Sequence, residues 1–433
     1  MRHPIPLSEV RFNDTIDPNG KLFWWRGEPY RAIRRHHASF TTRLFERGIV
    51  DHLVNGGWLV PTERTNYSLP GYALVLRHHR VPFDAHATEW CAPMVRDAAL
   101  FLLDLESELE RLGLMLQDGH TGNIMFEGVK PVFIDFCSIV PNIASPVWDA
   151  EAEFRGIFLS SLHRVSQGRL QDLRQHMPMG WHGAKWSPAT ESDPAGSLYG
   201  WQEPPSRLAT TARRLPPPMF AFLKRQQTQF RRRSAALQAD TTLVRRNRLS
   251  ELRGEIRALP IPDALSAAVS SETSPGSSAL AALFDRLNPT TVLVLGGGAP
   301  ALARLVCAET RQIALFAETE ADAEGCYAAA LRLGLPILPV RPASRVSGVL
   351  SRWMLEPGTL ESRYRADVLL APDLDPLALP VPPDQALALL AHMTRCQAIL
   401  DGRFEPATLG AHFSRIEVIA LAPDHPDVLL CER

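Results

Sequence analysis

The residues best suited to chemistry lie in the segment 116–139. Asp118 and Asn123 are five positions apart in a polar loop, and Asp135 follows twelve positions later, at the end of an apolar strand pattern. Phosphoryl transfer needs an acid that orients the acceptor hydroxyl, and further groups that hold Mg²⁺ on the nucleotide. The residue types and spacing therefore make Asp118 a candidate catalytic residue, with Asn123 and Asp135 as candidate metal ligands.

A second candidate site follows a buried strand pattern at residues 291–295. Gly296, Gly297 and Gly298 come where the backbone must turn sharply and approach a ligand at the start of a helix. Glu318 ends the next strand pattern, 22 positions after Gly296, where a carboxylate can accept hydrogen bonds from a ribose. The pattern predicts a cofactor-binding turn; its alternative is a purely structural turn after a core strand.

The elements that must position the first site follow in a set order. Residues 21–34 have the pattern of a hairpin, residues 39–56 have helical spacing, and residues 71–76 form a buried strand. A long amphipathic helix over 89–112 ends at Gly113, just before the polar loop. This order of hairpin, helix, strand, long helix, loop and hairpin predicts a reduced, kinase-like α+β fold.

The loop 117–123, with Ile134-Asp135-Phe136 downstream, resembles the signature of aminoglycoside-phosphotransferase-type kinases. That resemblance implies Mg-ATP as the cofactor and His120 as a residue that braces the loop. Two features depart from it, because the strand positions available for the kinase lysine carry Arg31 and Arg34, and no glycine-rich cover is present. In the alternative interpretation, the polar residues of the loop only tie it together by hydrogen bonds.

Beyond residue 276 the strand and helix patterns alternate, which predicts an open, mainly parallel, doubly wound sheet. A final hairpin is predicted from strands at 416–421 and 428–431, and it favours the sheet of a class I S-adenosylmethionine (AdoMet) methyltransferase over that of a dehydrogenase. The third glycine of a dinucleotide-binding fingerprint is also absent, since position 301 is Ala.

The chain as a whole resembles bacterial class I AdoMet-dependent methyltransferases akin to nodulation-protein methyltransferases. The likeness is greatest over 70–140, which contains the segments 71–83 and 116–135, and it is moderate over 280–330. It implies that Gly296, Gly297, Gly298 and Glu318 bind AdoMet. After the fourth strand the family's usual His-His or aromatic pair is absent, and we expect one of the acids found there, Asp373 or Asp375, to orient or deprotonate the acceptor. The acid that often precedes the glycine turn in this family is replaced here by Val294.

Composition limits the other classes of function. The 433 residues carry a net charge of −1, which gives no general attraction to nucleic acid or to an anionic membrane. No signal peptide or long apolar run is present, and the six cysteines are scattered, so we expect a cytoplasmic protein with reduced thiols. The arginine-rich stretch 219–258 could be a nucleic-acid face, but we interpret it as a solvated helical connector.

These patterns predict a kinase-like domain over 1–145, a helical and partly irregular basic connector over 146–275, and a Rossmann-like methyltransferase domain over 276–433. The leading hypothesis is AdoMet-dependent methyl transfer to a small molecule or natural-product intermediate. The second is an ATP- and Mg²⁺-dependent small-molecule kinase that uses Asp118, Asn123 and Asp135. The third is a non-catalytic pseudoenzyme or partner subunit of a biosynthetic complex, for which a protein partner is expected.

Overall fold

The structure is a computed structural model of the chain. It describes residues 3–13, 17–142, 147–169, 241–261, 277–296, 299–341, 363–372, 374, 383–420 and 427–433. The domain boundaries predicted after residues 145 and 275 fall outside these ranges. Across the ranges, no helix combines the length and the apolar character needed to span a bilayer.

An antiparallel five-stranded sheet begins the chain, with the order β2–β3–β4–β7–β5. Arg26 and Gly27 both have positive φ, 52° and 81°, and make the tight turn that confirms the predicted hairpin between β3 and β4. A separate parallel pair is formed by β1 and β6. The strands are β1 (His3–Pro4), β2 (Arg11–Phe12), β3 (Gly20–Trp25), β4 (Glu28–Ile33), β5 (Thr62–Arg64), β6 (Tyr67–Ser68) and β7 (Leu74–His78).

The helix predicted over 39–56 is wrong in its extent, because the structure has two helices there. Helix α1 is Arg35–Glu46 and α2 is Ile49–Asn55. Gly48 separates them with φ of 67°, a left-handed conformation that ends a helix and that glycine adopts without steric cost. The long amphipathic helix is confirmed as α3, Ala92–Arg111, which buries an apolar face against the rest of the N-terminal part.

Two short antiparallel pairs hold the polar loop at both ends. β8 (Leu114–Leu116) pairs with β11 (Ile139–Pro141) before the loop, and β9 (Ile124–Glu127) pairs with β10 (Lys130–Phe133) after it. The segment that begins at residue 151 is helical but is interrupted by a π-helical turn over Arg155–Leu159. Its two α-helical parts are α4 (Glu151–Phe154) and α5 (Ser160–Ser166).

Helix α6, Thr241–Ala258, lies against α3 rather than in solvent. Its apolar side chains Leu249, Leu252 and Ile256 are at most 1% exposed. Its arginines pair with acids of the N-terminal part, for example Arg253 with Asp104 at 2.6 Å. The stretch is thus helical over α6 as predicted, but α6 is not wholly solvated, because one face is buried against the N-terminal part and several of its arginines pair with acids there.

The C-terminal part is a Rossmann-like α/β fold built on a seven-stranded sheet of order β14–β13–β12–β15–β16–β18–β17. Strands β14 through β16 are parallel, while β18 is antiparallel to both of its neighbours, so the predicted sheet and its closing hairpin are confirmed. The strands are β12 (Thr291–Val294), β13 (Gln312–Phe316), β14 (Ile337–Val340), β15 (Ala366–Ala371), β16 (Thr394–Asp401), β17 (Arg415–Ile419) and β18 (Val428–Glu432). The helices are α7 (Ser277–Leu287), α8 (Ala299–Leu305), α9 (Glu320–Leu333), α10 (Pro383–Met393) and α11 (Pro406–Leu409).

Candidate functional site

The backbone of the polar loop 117–123 is held by groups that lie outside the loop. Buried Glu106 accepts a hydrogen bond from the Leu116 amide at 2.8 Å, just before the loop begins. The Asp118 amide donates to Ser138 Oγ at 3.0 Å, and the Gly119 amide donates to Glu153 at 2.7 Å. Because its backbone is fixed in this way, the loop presents its side chains in a preorganised arrangement.

Arg31 on β4 lies between two carboxylates. Its guanidinium is 2.8 Å from Asp17 and 2.7 Å from Asp135, and the side chains are 8%, 13% and 21% exposed respectively. Burial raises the pKa of Asp135; the charge of Arg31 opposes this rise, and the carboxylates of Asp17 and Asp118 add to it. Burial alone would lower the pKa of Arg31, but Asp135 and Asp17 outweigh that effect and raise it. The arginine thus occupies the centre of an acidic cluster.

Four polar atoms around this cluster are buried without a hydrogen-bond partner among the residues that the structure describes. They belong to residues that are 4–6% exposed as a whole: Arg31 Nε, His78 Nε2, His120 Nδ1 and Asn123 Nδ2. His78 is neutral, because burial and the charge of Arg31 lower its pKa to about 3. Buried polar groups are nearly always paired in folded proteins, so a concentration of unpaired ones indicates a place where a polar ligand or water binds.

The structure brings the three residues of the predicted phosphotransfer site together. The carbonyl oxygen of Asn123 accepts a hydrogen bond from the amide of Ile134 at 2.9 Å, which places Asn123 beside Asp135. The charges of Asp118 and His120 both act on Asp135. In the described ranges, however, no three His, Cys, Asp or Glu side chains are grouped closely enough to hold a metal ion. Asp118, Asn123 and Asp135 therefore do not form a site that holds a metal on protein ligands alone, and Asp135 is paired with Arg31 in this structure.

The second predicted site lies at the carboxyl ends of neighbouring strands in the seven-stranded sheet. Gly296 follows β12 and has φ of 103°, a conformation that favours glycine. Glu318 follows β13, is exposed, and immediately precedes Thr319, the N-cap residue of α9. Strands β12 and β13 are parallel neighbours, so these two residues are at the same edge of the sheet. The remaining predicted residues of this site, Gly297, Gly298, Asp373 and Asp375, lie outside the described residues.

Three acids that position the polar loop or its arginine were not singled out from the sequence: Asp17, Glu106 and Glu153. Glu106 had a visible signal, because it shares the apolar face of α3 with Leu102 and Leu109, at four- and three-residue spacing. A charged residue within such a stripe indicates a buried acid with a partner. Asp17 and Glu153 have no comparable signal, since their contacts depend on how distant segments meet.

Comparison with known proteins gives a partial match in sequence. No protein-family model matches the chain. The chain is 31% identical over 151 residues to "Nodulation protein NoeA" of Rhizobium meliloti (strain 1021), a match that covers 34% of this chain. The match covers 31% of that relative, so the chain spans about a third of its length.

Solved structures that resemble part of the chain include methyltransferases. A 16S rRNA methyltransferase of T. thermophilus, in complex with AdoMet and guanosine, has a TM-score of 0.27 and 17% identity, over 38% of this chain and 45% of the other. A methyltransferase from Geobacter sulfurreducens has a TM-score of 0.26 and 14% identity, over 45% and 90%. The 1,6-didemethyltoxoflavin-N1-methyltransferase of Burkholderia thailandensis has a TM-score of 0.25 and 17% identity, over 38% and 80%.

Proposed function

We propose that the chain is an AdoMet-dependent methyltransferase that acts on a small molecule or natural-product intermediate. The observation that carries this proposal is the position of Gly296 in the sheet. From β12 the chain runs outward through β13 and β14 on one side, and then returns to add β15 and β16 on the other. Ligands of open α/β sheets bind outside the carboxyl ends of the strands where the order reverses. Gly296 lies two residues beyond the end of β12 at this point and turns with positive φ.

The residues at this edge suit the cofactor in two respects. The backbone at Gly296 has no side chain to keep a ligand away, and Glu318 on the neighbouring strand end is exposed and can accept hydrogen bonds from ribose hydroxyls. AdoMet, when bound, supplies the electrophilic methyl group. The chain's own task is then to hold donor and acceptor in line. We assign Gly297 and Gly298 to the same cofactor turn, and Asp373 or Asp375 to orienting or deprotonating the acceptor.

Titration calorimetry with AdoMet tests this proposal. Wild-type protein is expected to bind AdoMet, and Gly296→Asp is expected to abolish binding, because the new side chain enters the turn and a charge faces the ligand. Gly71→Asp is the matched control, since Gly71 also has positive φ, 85°, but lies in the N-terminal part before β7. If the wild type does not bind AdoMet, or if both variants lose binding equally, the proposal fails.

A second candidate function is ATP- and Mg²⁺-dependent phosphoryl transfer in a kinase-like N-terminal domain, with Asp118 orienting the acceptor. The four unpaired polar atoms beside the preorganised loop favour it. Mg²⁺ would arrive with the nucleotide phosphates and use Asn123 and Asp135, since a metal of this kind commonly keeps few protein ligands. The test is titration with Mg-ATP against the wild type and Asp135→Ala. Binding that the variant loses supports this candidate, whereas no binding of either cofactor supports a non-catalytic partner subunit.

The proposed domain organisation follows the three segments predicted from the sequence. Residues 1–145 would form the kinase-like domain, 146–275 the helical connector and 276–433 the methyltransferase domain. Limited proteolysis tests these limits, because domain boundaries lie in exposed segments that are cleaved first. Stable fragments that end well inside the seven-stranded sheet would contradict the proposed division.

A further inference from the structure

A group of four residues joins the N-terminal part to the edge of the seven-stranded sheet. We call Glu89, Arg341, Arg363 and Tyr364 the edge clamp. The carboxylate of Glu89 accepts two hydrogen bonds from the guanidinium of Arg363, both at 2.7 Å, and one from the hydroxyl of Tyr364 at 2.7 Å. The carbonyl oxygen of Glu89 accepts a further hydrogen bond from the amide of Arg341 at 2.9 Å.

The centre of the edge clamp is buried and its geometry is specific. The side chains of Glu89 and Arg363 are 4% and 9% exposed, and Tyr364 is fully buried. Bidentate pairing between an arginine and a carboxylate fixes the relative orientation of both groups. Glu89 is itself held, because its carboxylate also accepts a hydrogen bond from the amide of His86 at 2.9 Å. The clamp is therefore a rigid connection between two parts of the chain.

The edge clamp contacts the chain on both sides of Glu318, the proposed ribose-binding residue. The ring of Tyr364 meets the ring of Phe316 edge-on at 4.8 Å, and Phe316 is the last residue of β13. The guanidinium of Arg341 is 3.3 Å from the carboxylate of Glu320, the first residue of α9. Glu318 thus lies between two residues, each two positions away, that the clamp holds in place.

We propose that Glu89, through Arg341, Arg363 and Tyr364, is a positioning residue for cofactor binding at the carboxyl edge of the sheet. The N-terminal part then contributes to the methyltransferase site by fixing the end of β13 and the start of α9, whatever ligand it binds itself. This inference rests on the proposed function, since the cofactor is AdoMet and the residue being positioned is Glu318. The contacts that support Glu318 matter because a small displacement of a ligand-binding group causes a large loss of binding affinity.

The test is the dissociation constant for AdoMet, measured with the full chain well below the melting temperature of each variant. Glu89→Gln removes the charge that Arg363 pairs with, and we expect AdoMet binding to weaken on the order of tenfold. Arg341→Gln releases Glu320 and should weaken binding in the same direction. The Arg341 side chain is 40% exposed, so this variant keeps the test decisive if Glu89→Gln does not fold.

Tyr327→Phe is the matched control. The hydroxyl of Tyr327, in the middle of α9, donates to Asp97 on α3 at 2.9 Å, so its loss weakens the same junction away from the carboxyl edge. We expect this variant to lower the melting temperature but to leave the dissociation constant for AdoMet unchanged. Unchanged binding in both Glu89→Gln and Arg341→Gln would overturn the inference while leaving the proposed function intact. Absence of AdoMet binding by the wild type would overturn both together.

Discussion

The guanidinium of Arg31 and the carboxylate of Asp135 lie 2.7 Å apart. This pair joins the five-stranded sheet to the end of the β9–β10 hairpin that follows the polar loop. Asp135 also accepts a hydrogen bond from the amide of Cys137, which caps a short helical turn. Asp17 approaches the same guanidinium at 2.8 Å. One arginine therefore neutralises two acids that would otherwise repel each other in a poorly solvated place.

Arg31→Met should destabilise the protein by about 3–5 kcal/mol, because it leaves buried carboxylates without a positive partner. Urea unfolding at pH 8 measures this loss. The loss should be smaller at pH 5, since Asp135 has a raised pKa and escapes the penalty by taking up a proton. Arg64→Met on the exposed strand β5 is the control and should change stability by less than about 0.5 kcal/mol. Equal losses in the two variants would contradict the role given to Arg31.

Because of the buried carboxyl of Glu106, the free energy of unfolding of the wild type should fall as the pH rises from about 4.5 to 8. Burial raises its pKa from 4.5 to about 8; the Leu116 amide and Arg245 oppose the rise, while Glu110 and Asp149 add to it. The folded state therefore holds a proton that the unfolded state has released in this range, and stability falls with increasing pH.

Glu106→Gln removes that titration. The free energy of unfolding of the variant minus that of the wild type should thus increase by about 1 kcal/mol or more from pH 5 to pH 8. The reason is that each unit of pKa difference corresponds to about 1.4 kcal/mol. Urea unfolding of both proteins at the two pH values is the measurement. Parallel pH profiles for the two proteins would show that Glu106 does not titrate in this range.

The sequence predicted the periodic elements well and the polar contacts between them poorly. Strand β12 and helix α3 were visible because apolar residues recur at strand or helix spacing within one segment. The break between α1 and α2 was missed because Gly48 stands within an apolar pattern that continues on both sides. A single glycine inside a helical pattern is tolerated in some helices and ends others, so local pattern alone does not decide.

At the candidate sites too, groupings that are local in the sequence were predicted, and pairings between distant residues were not. Spacing along the polar loop and the hairpin that follows it was enough to group Asp118, Asn123 and Asp135, since the antiparallel pairing of β9 and β10 returns the chain to the end of the loop. The pairing of Glu89 with Arg363 joins residues 274 positions apart, and no local pattern relates them. Contacts of this kind depend on how complete elements pack, which the order of residues within each element does not specify.

Two glycines should respond in opposite ways to the same substitution. Gly296→Ala should destabilise the protein by about 1–3 kcal/mol, because φ of 103° strains any residue with a side chain. Gly254→Ala should stabilise it by about 0.5–1 kcal/mol, because Gly254 lies inside α6 and an added Cβ would meet no atom within 4 Å. Thermal unfolding of both variants against wild type measures the two shifts. Shifts of the same sign would contradict the helical or the strained backbone assigned to one of the two positions.

Glu89 and Arg363 should behave as a coupled pair in a double-mutant cycle. Each single variant, Glu89→Gln or Arg363→Met, leaves a buried group without its partner and should cost about 3–5 kcal/mol. The double variant should cost much less than the sum, which gives a coupling free energy of about 2 kcal/mol or more. Urea unfolding at pH 7 provides the three free-energy differences, and additive losses would argue against a direct pair.

The same pair also predicts how acid affects the protein. Burial alone would raise the pKa of Glu89, but the hydrogen bonds and charge of Arg363 outweigh that effect and lower it below 4.5. The unfolded state therefore takes up the proton first, so the stability that Glu89 contributes is present above about pH 4.5 and is lost as the pH falls through the lowered value. The gap in unfolding free energy between wild type and Glu89→Gln should narrow from pH 6 to pH 3. A gap that stays constant over this range would mean that Glu89 is not the ionised partner of Arg363.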